Sequence, residues 1–147
     1  MKTMNRRLGE SGQALIETGM VLLIIIPLTI GVIEFGRAFL VENMITNAAR
    51  DAARTASVVK SGDRDANGMI TAAMKTTIAT QMRNQIRNVL SADDIAGLNV
   101  IDVDQVTVGG LNVVQATISG QVPYIFNLVG QNFPVKRVVV FRDEGRL

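Results

Sequence analysis

The chain has 147 residues, is 48% hydrophobic and carries a formal net charge of +2, with no cysteine and no histidine. This composition excludes disulfides, thiol nucleophiles and the usual zinc ligands, and it removes the commonest general base. Residues 1–12 hold three of the 15 basic and one of the 13 acidic residues, so the remainder is balanced at 12 of each. Such a balance does not favour nucleic-acid binding, and we expect no nucleic-acid partner, no cofactor and no enzymatic activity.

An apolar run near the N-terminus predicts a membrane-spanning helix. Residues 18–33 contain no charge, and residues 13–16 extend the run to about 20 positions interrupted only by Glu17. A helix of about 20 residues crosses a hydrocarbon core of ~30 Å, which assigns residues 13–34 to the lipid bilayer. Because three basic residues within the predicted leader, residues 1–12, precede the run, the N-terminus is expected in the cytoplasm and the rest outside it.

Glu17 needs an explanation, because a charged side chain in a bilayer is costly, although less so near a helix end. Snorkelling to the interface is one interpretation, and a plain signal anchor gives no reason for the charge. A cleavable secretory signal fits poorly, since residues 29–31 make a weak cleavage site. A cut between Gly12 and Gln13 instead creates an ammonium group at Gln13 and leaves Glu17 as the fifth residue, the layout of prepilin processing. In such filaments, the carboxylate of one subunit pairs with the N-terminal ammonium of its neighbour.

Several segments together carry a resemblance to a known family. They are GQALIE at 12–17, the apolar run with Pro27, IEFGRAF at 33–39 and NAARDAAR at 47–54, with weaker similarity in VPYIFNLVG at 122–130 and the final VKRVVVFRDEG. On these segments the chain resembles the TadE-like family, the pseudopilins of tight-adherence (Flp, type IVc) pilus systems. Gln13 departs from the phenylalanine that many type IV prepilins have at the new N-terminus.

The resemblance implies processing by a prepilin peptidase, residence in the bacterial inner membrane and partnership with other pilin and pseudopilin subunits and the inner-membrane assembly platform. It implies a role in pilus assembly or as a minor filament subunit in cell adhesion, with possible incorporation into the extracellular pilus. The mature chain of 135 residues (147 less 12) is longer than a typical major subunit of this class. The alternative is a permanently membrane-anchored extracytoplasmic scaffold or binding protein of a secretion machine.

The helix is expected to continue beyond the membrane over residues 35–59, which contain no proline and many alanines. The alanines form an i,i+4 ladder that either permits close approach of another element or reflects helix propensity alone: Ala48, Ala52 and Ala56, with Ala49 and Ala53 beside it. Pro27 is expected to kink the helix within the membrane.

Residues 60–68, KSGDRDANG, break the helix and begin the predicted extracytoplasmic α+β domain over 60–147. Asp63, Asp65 and Asn67 match the first half of a calcium loop, but Met74 stands where a bidentate glutamate is required. The same residues favour turns and caps, so we expect no metal site here.

The domain pattern predicts one further helix and three strands. Residues 69–90 have an apolar residue at every fourth position, typical of a helix packed on a sheet. Residues 98–108, Gly109-Gly110 and the segment ending at Pro123 predict a hairpin, and a third strand is expected after Pro134. Asp102 and Asp104 are expected on a solvated strand face, and the apolar segment 124–133 is a candidate contact surface if it is exposed.

Overall fold

The computed structural model describes residues 4–126 and 130–145, with side chains from residue 12 onward. The chain divides into two compact units, Met1–Arg37 and Ala38–Leu147. The elements are α1 (Met4–Ser57), a 3₁₀ turn (Ser61–Asp63), α2 (Ala72–Arg87), α3 (Ala92–Ala96), β1 (Val100–Val108), β2 (Leu111–Pro123) and β3 (Asn132–Arg142). This arrangement confirms the predicted α+β class with a three-stranded antiparallel sheet.

Helix α1 confirms the long continuous helix predicted for the N-terminal part of the chain. It runs without interruption through Pro27, which has no N–H to donate to the carbonyl of Leu23. The kink at Pro27 stays a prediction. Of the predicted leader, Met1–Thr3 and the side chains before Gly12 lie outside the described residues.

The second unit is organised around the alanine ladder of α1. All five alanines are buried, and they share the core with larger side chains of the same helix, Val41 and Ile45. Small residues let neighbouring elements approach the helix backbone closely, so the ladder contributes to packing as well as to helix propensity.

Helix α2 packs its apolar stripe into the same core, as its periodicity predicted. Ile78, Met82 and Ile86 are buried. The helix begins at Ala72, later than the pattern suggested, because the Thr71 side chain caps it by accepting a hydrogen bond from Met74 N–H. Helix α3 is an element that the sequence analysis did not predict. Its Ser91 and Asp94 form a reciprocal capping box.

The sheet has the order β1-β2-β3, and the predicted hairpin is confirmed. Gly109 and Gly110 have φ of 59° and 81°, which a two-residue turn between right-twisted strands requires. Pro123 ends β2 as predicted. The predicted start of β3 is wrong: the strand begins at Asn132 and includes Pro134, which an edge strand tolerates because its missing N–H is not needed in the ladder.

Two glycines allow α3 to meet the sheet. The N–H of Gln121 donates to the carbonyl of Gly97 at 2.8 Å. A Cβ on Gly97 would collide with the Gln121 carbonyl, and one on Gly120 would collide with the backbone of Gly97 and Leu98. Glycine at both positions is therefore a condition of this contact.

The segment 124–133 is only partly exposed. Phe133 belongs to β3 and is buried, and its ring centroid lies 5.3 Å from that of Tyr124. Ile125 and Phe126 are exposed, and residues 127–129 lie outside the described part of the chain.

Candidate membrane-spanning and assembly segment

The first unit presents apolar side chains to its surroundings along much of the helix. Large aliphatic side chains from Leu15 to Ile33 are exposed, and Leu15 and Leu23 reach 74% and 75% exposure. In the described part of the chain one helix, Gly12–Ser57, is long and apolar enough to cross a membrane, and none of its most apolar stretch is buried. Water is a poor solvent for such a surface, so the geometry and composition suit a lipid environment or contact with similar helices.

Glu17 is the one formally charged residue between positions 12 and 33, and its side chain is exposed. The threonine hydroxyls of the same stretch are satisfied within the helix: Thr18 donates to Ala14 C=O at 2.8 Å and Thr29 to Ile25 C=O at 2.9 Å. A carboxylate cannot use this solution, because it only accepts hydrogen bonds and the helix carbonyls offer no donor. No ion pair reaches Glu17 within residues 12–126 and 130–145. Its charge therefore needs a donor or cation from elsewhere when water is removed.

Gly12 and Gln13, the predicted cleavage positions, lie within helix α1 and are exposed. A Cβ added at Gly12 would meet nothing within 4 Å, so the packing of the described chain does not require glycine there. Gln13 and Glu17 stand four residues apart, the spacing of neighbours on one helix face. A new helix start at Gln13 would also place the Glu17 carboxylate close to the positive end of the helix dipole.

A buried polar cluster in the second unit was missed by the sequence analysis. Arg64 donates from two nitrogens to the two carboxylate oxygens of Asp143, at 2.9 and 2.7 Å, and the paired side chains are 6% and 3% exposed. Gln105 adds a 2.6 Å hydrogen bond to Asp143 and accepts one from Ile70 N–H. These contacts join the segment that follows α1 to β1 and to the residue that follows β3. The residues are 79 positions apart, and no local pattern signals such a pair.

The pKa of Asp143 depends on its burial and on the hydrogen bonds that it accepts. Burial raises the pKa of the carboxyl, but the Arg64 hydrogen bonds, the Gly145 N–H and the charge of Arg64 together outweigh burial. The pKa of Asp143 therefore lies below its ordinary value of 3.8. The ionised pair has a structural role, because both carboxylate oxygens of Asp143 accept hydrogen bonds from Arg64 and one of them also accepts from Gln105.

The calcium-loop residues make a turn. The Asp65 carboxylate accepts hydrogen bonds from the N–H groups of Asn67 and Met69, both at 2.9 Å, as in an Asx turn. Gly68 within this turn has a φ of 76°, and its carbonyl accepts from Arg64. Within the described residues no group of three acidic side chains is placed to hold a metal ion.

Asp102 and Asp104 are exposed on β1, as expected. Lys75 of α2 donates to Asp104 at 2.6 Å, and this hydrogen bond is the main reason that the pKa of Asp104 is lowered. The Asp102 carboxylate accepts a hydrogen bond from Val103 N–H at 2.8 Å, so both carboxylates are engaged by groups of the chain itself.

The described residues define a class, an α+β protein in which, over residues 12–126 and 130–145, one helix is long and apolar enough to span a membrane. The family described as TadE-like protein matches residues 12–54, which confirms the resemblance in that segment. The match to this family suggests a protein that is associated with the Tad pilus. The family is structural and is not known for enzymatic activity. No curated protein matches the chain, and no solved structure matches it.

Proposed function

We propose that the chain is a minor pilin, or pseudopilin, of a tight-adherence type IVc pilus, cut after Gly12 and acting in pilus assembly or as a minor filament subunit in adhesion. The single observation that carries the proposal is Glu17, the one charged residue between positions 12 and 33 of the exposed apolar part of α1, five residues after Gly12, where the family match starts.

The Glu17 carboxylate must be neutralised or hydrated when the apolar helix lies in lipid. A carboxylate at the centre of a bilayer helix costs roughly 2.5 to 3.5 kcal/mol on insertion scales, and less near the end. Before cleavage, Glu17 can remain near the cytoplasmic interface. After cleavage, the Gln13 ammonium of a neighbouring subunit can pair with Glu17 inside an apolar bundle. Because an unpaired carboxylate is penalised there, the pair selects one axial register between neighbouring subunits.

The proposal names partners and a location. The uncut chain resides in the bacterial inner membrane with its N-terminus in the cytoplasm, where a prepilin peptidase acts on it. The cut subunit then engages the assembly platform and other pilin subunits, and residues 35–147 lie outside the cytoplasm. The charge distribution supports this orientation, since the basic leader precedes the apolar run.

Cleavage is tested with Gly12→Leu and a matched control, Gly19→Leu. Both glycines lie on exposed positions of α1, and an added Cβ at either meets nothing within 4 Å. Gly12→Leu is expected to leave the leader attached, because the side chain fills space at the scissile bond, whereas Gly19→Leu is expected to be cut normally. Immunoblotting resolves the two forms. Equal processing of both variants contradicts cleavage after Gly12.

Assembly is tested with Glu17→Gln, which keeps the shape of the side chain and removes its charge. We expect normal cleavage and at least a tenfold loss of pili, or of this subunit in sheared pili. Glu10→Gln makes the same substitution within the predicted leader and is expected to have no effect. If the Glu17 variant assembles at the wild-type level, the charge pair has no role. If its chain is instead retained uncut, Glu17 serves recognition by the peptidase.

A further inference from the structure

The two edges of the sheet are not equivalent, and the hydrogen-bond pattern defines each. In antiparallel strands, directly bonded pairs recur at every second residue. Beyond the two ends of the β2–β3 ladder, Asp143 N–H donates to Asn112 C=O and Tyr124 N–H donates to Gln131 C=O, both at 3.0 Å. Gln131 and Asp143 are both odd-numbered, and the pairing register between them is uninterrupted. The odd-numbered residues of β3 therefore form the backbone hydrogen bonds to β2. The backbone groups of Lys136, Val138 and Val140 therefore point away from the sheet.

The register of the β1–β2 hairpin likewise shows which backbone groups of β1 face outward. Its two-residue hairpin is closed by the pair Val108–Leu111, so even-numbered residues of β1 bond to β2 and odd-numbered ones point outward. Two outward N–H groups are already occupied: Val103 N–H donates to the Asp102 carboxylate and Gln105 N–H to the Asp104 carboxylate, both at 2.8 Å. Lys75 further holds Asp104. The β1 edge is closed by its own side chains, a device that limits pairing with another chain.

The β3 edge is less closed: among the described residues, Arg137 Nη1 donates to the outward C=O of Lys136 at 3.3 Å, whereas the outward N–H groups have no such partner. In the described part of the chain, no side chain accepts a hydrogen bond from the N–H of Lys136, Val138 or Val140. The side chains of Val138 and Val140 are 43% and 52% exposed. Pro134 and Lys136 discourage pairing at the start of the strand, but the following residues leave a free Val-rich edge.

The charge beside this edge indicates what it can accept. Lys136 and Arg142 share one sheet face with Val138 and Val140, because side chains alternate along a strand. Arg137 belongs to the opposite face and is engaged by Glu42 and Thr46 of α1. The open edge therefore presents a basic–apolar–apolar–basic pattern.

We propose that the outer edge of β3 binds an extended acidic segment of a partner protein as a fourth strand. The partner's backbone would pair with Lys136, Val138 and Val140, and its alternate side chains would place apolar groups against the valines and carboxylates against Lys136 and Arg142. This surface is a property of the folded unit 38–147 and does not depend on cleavage or on Glu17.

A second copy of this chain fits the edge less well. Two β3 strands paired antiparallel about Val139 would set Lys136 opposite Arg142, and like charges opposite one another destabilise a sheet. A second copy entering through β1 would need outward N–H groups that Asp102 and Asp104 already occupy. An acidic partner strand satisfies both the hydrogen bonds and the charge.

The test uses the full chain in detergent micelles and two labelled peptides, Glu-Thr-Val-Thr-Val-Thr-Glu and its counterpart with lysine in place of both glutamates. We expect the acidic peptide to bind at least tenfold more tightly by fluorescence anisotropy. Bound peptide should slow amide hydrogen exchange at Lys136, Val138 and Val140. Absence of binding at millimolar peptide, equal binding of both peptides, or protection on β1 instead overturns the proposal.

Two variants locate the binding. Val138→Pro removes one outward N–H that the ladder does not use, and it is expected to weaken acidic-peptide binding at least tenfold. Its control, Thr107→Pro, removes an outward N–H from the β1 edge and should leave binding unchanged. If either proline variant fails to fold, Lys136→Glu combined with Arg142→Glu decides the matter. The double variant should prefer the lysine peptide, and an unchanged preference for the acidic peptide contradicts the proposal.

Discussion

The two parts of helix α1 have the same backbone conformation but opposite side-chain environments. In the first unit, large side chains such as Leu15 and Leu23 are about three-quarters exposed, whereas in the second unit the small Ala49 and Ala53 are fully buried. Burying one large aliphatic side chain is worth about 1.5–3 kcal/mol, so the first part has much to gain from lipid or neighbouring helices. The second part already obtains that gain from its own sheet and α2. Along one helix, the exposed first part therefore has apolar surface left to bury, whereas the second part is already packed in the core of its own unit.

The largest expected effect is the loss of the buried ion pair in the second unit. Asp143→Asn leaves the Arg64 guanidinium buried without its counter-charge, which costs about 3–5 kcal/mol. Chemical unfolding of the purified chain in detergent measures this change in free energy. Glu17→Gln is the control from the first unit and should leave the same transition unchanged. A comparable loss for both variants would contradict the separation of the two units.

A smaller loss is expected from cavity formation at Ile45, which is fully buried. Ile45→Ala should lower the free energy of unfolding by about 3 kcal/mol, the middle of the range for such truncations. Leu23→Ala removes a similar volume from an exposed position in the first unit and should change unfolding by less than about 0.5 kcal/mol. Equal effects at the two positions would mean that the first unit also belongs to the cooperative core.

The contact between α3 and β2 predicts a loss of about 2 kcal/mol for Gly120→Ala, because the new methyl group would collide with the backbone of Gly97 and Leu98. Gly62→Ala provides the control, since a Cβ there meets nothing within 4 Å. Thermal unfolding monitored by circular dichroism compares the two. If Gly120→Ala is as stable as the control, the close approach of α3 to the sheet is wrong.

The smallest effect is a pH dependence from Asp143. Because its pKa is lower in the folded chain than its ordinary value of 3.8, the carboxylate stabilises the fold above that pH. That contribution is lost as the pH falls from there through the lower folded pKa. Unfolding free energies measured from about pH 6 down to about pH 3 should fall less steeply for Asp143→Asn than for the wild type. Identical slopes would show that Asp143 does not titrate as described.

The sequence predicted the elements whose signals are local. The apolar run predicted a spanning helix, the four-residue repeat predicted α2, and Gly109-Gly110 predicted the hairpin, because each pattern reflects the geometry of one element. The start of β3 was predicted three residues too late, at Val135 instead of Asn132, since the tolerance of Pro134 depends on which strand is at the edge.

Features that depend on distant residues were not predictable in this way. The Arg64–Asp143 pair joins the residue after the 3₁₀ turn to the residue after β3, and Gly97 meets Gly120 only after the sheet has formed. Helix α3 did have a local signal, the Ser91–Asp94 capping box, which the transition to strand patterning obscured. For the candidate site, Gly12, Gln13 and Glu17 stay predictions, because their roles depend on a peptidase and on neighbouring subunits.

The central claim is that the chain is cut after Gly12 so that Glu17 can meet an ammonium group. The most direct measurement is the mass of the N-terminal peptide of the protein purified from native membranes, with and without the prepilin peptidase. The account predicts a start at Gln13 that disappears when the peptidase is deleted. A start at Met1 in both strains would contradict it and favour a permanently anchored scaffold, and a start beyond Ile30 would indicate ordinary secretion.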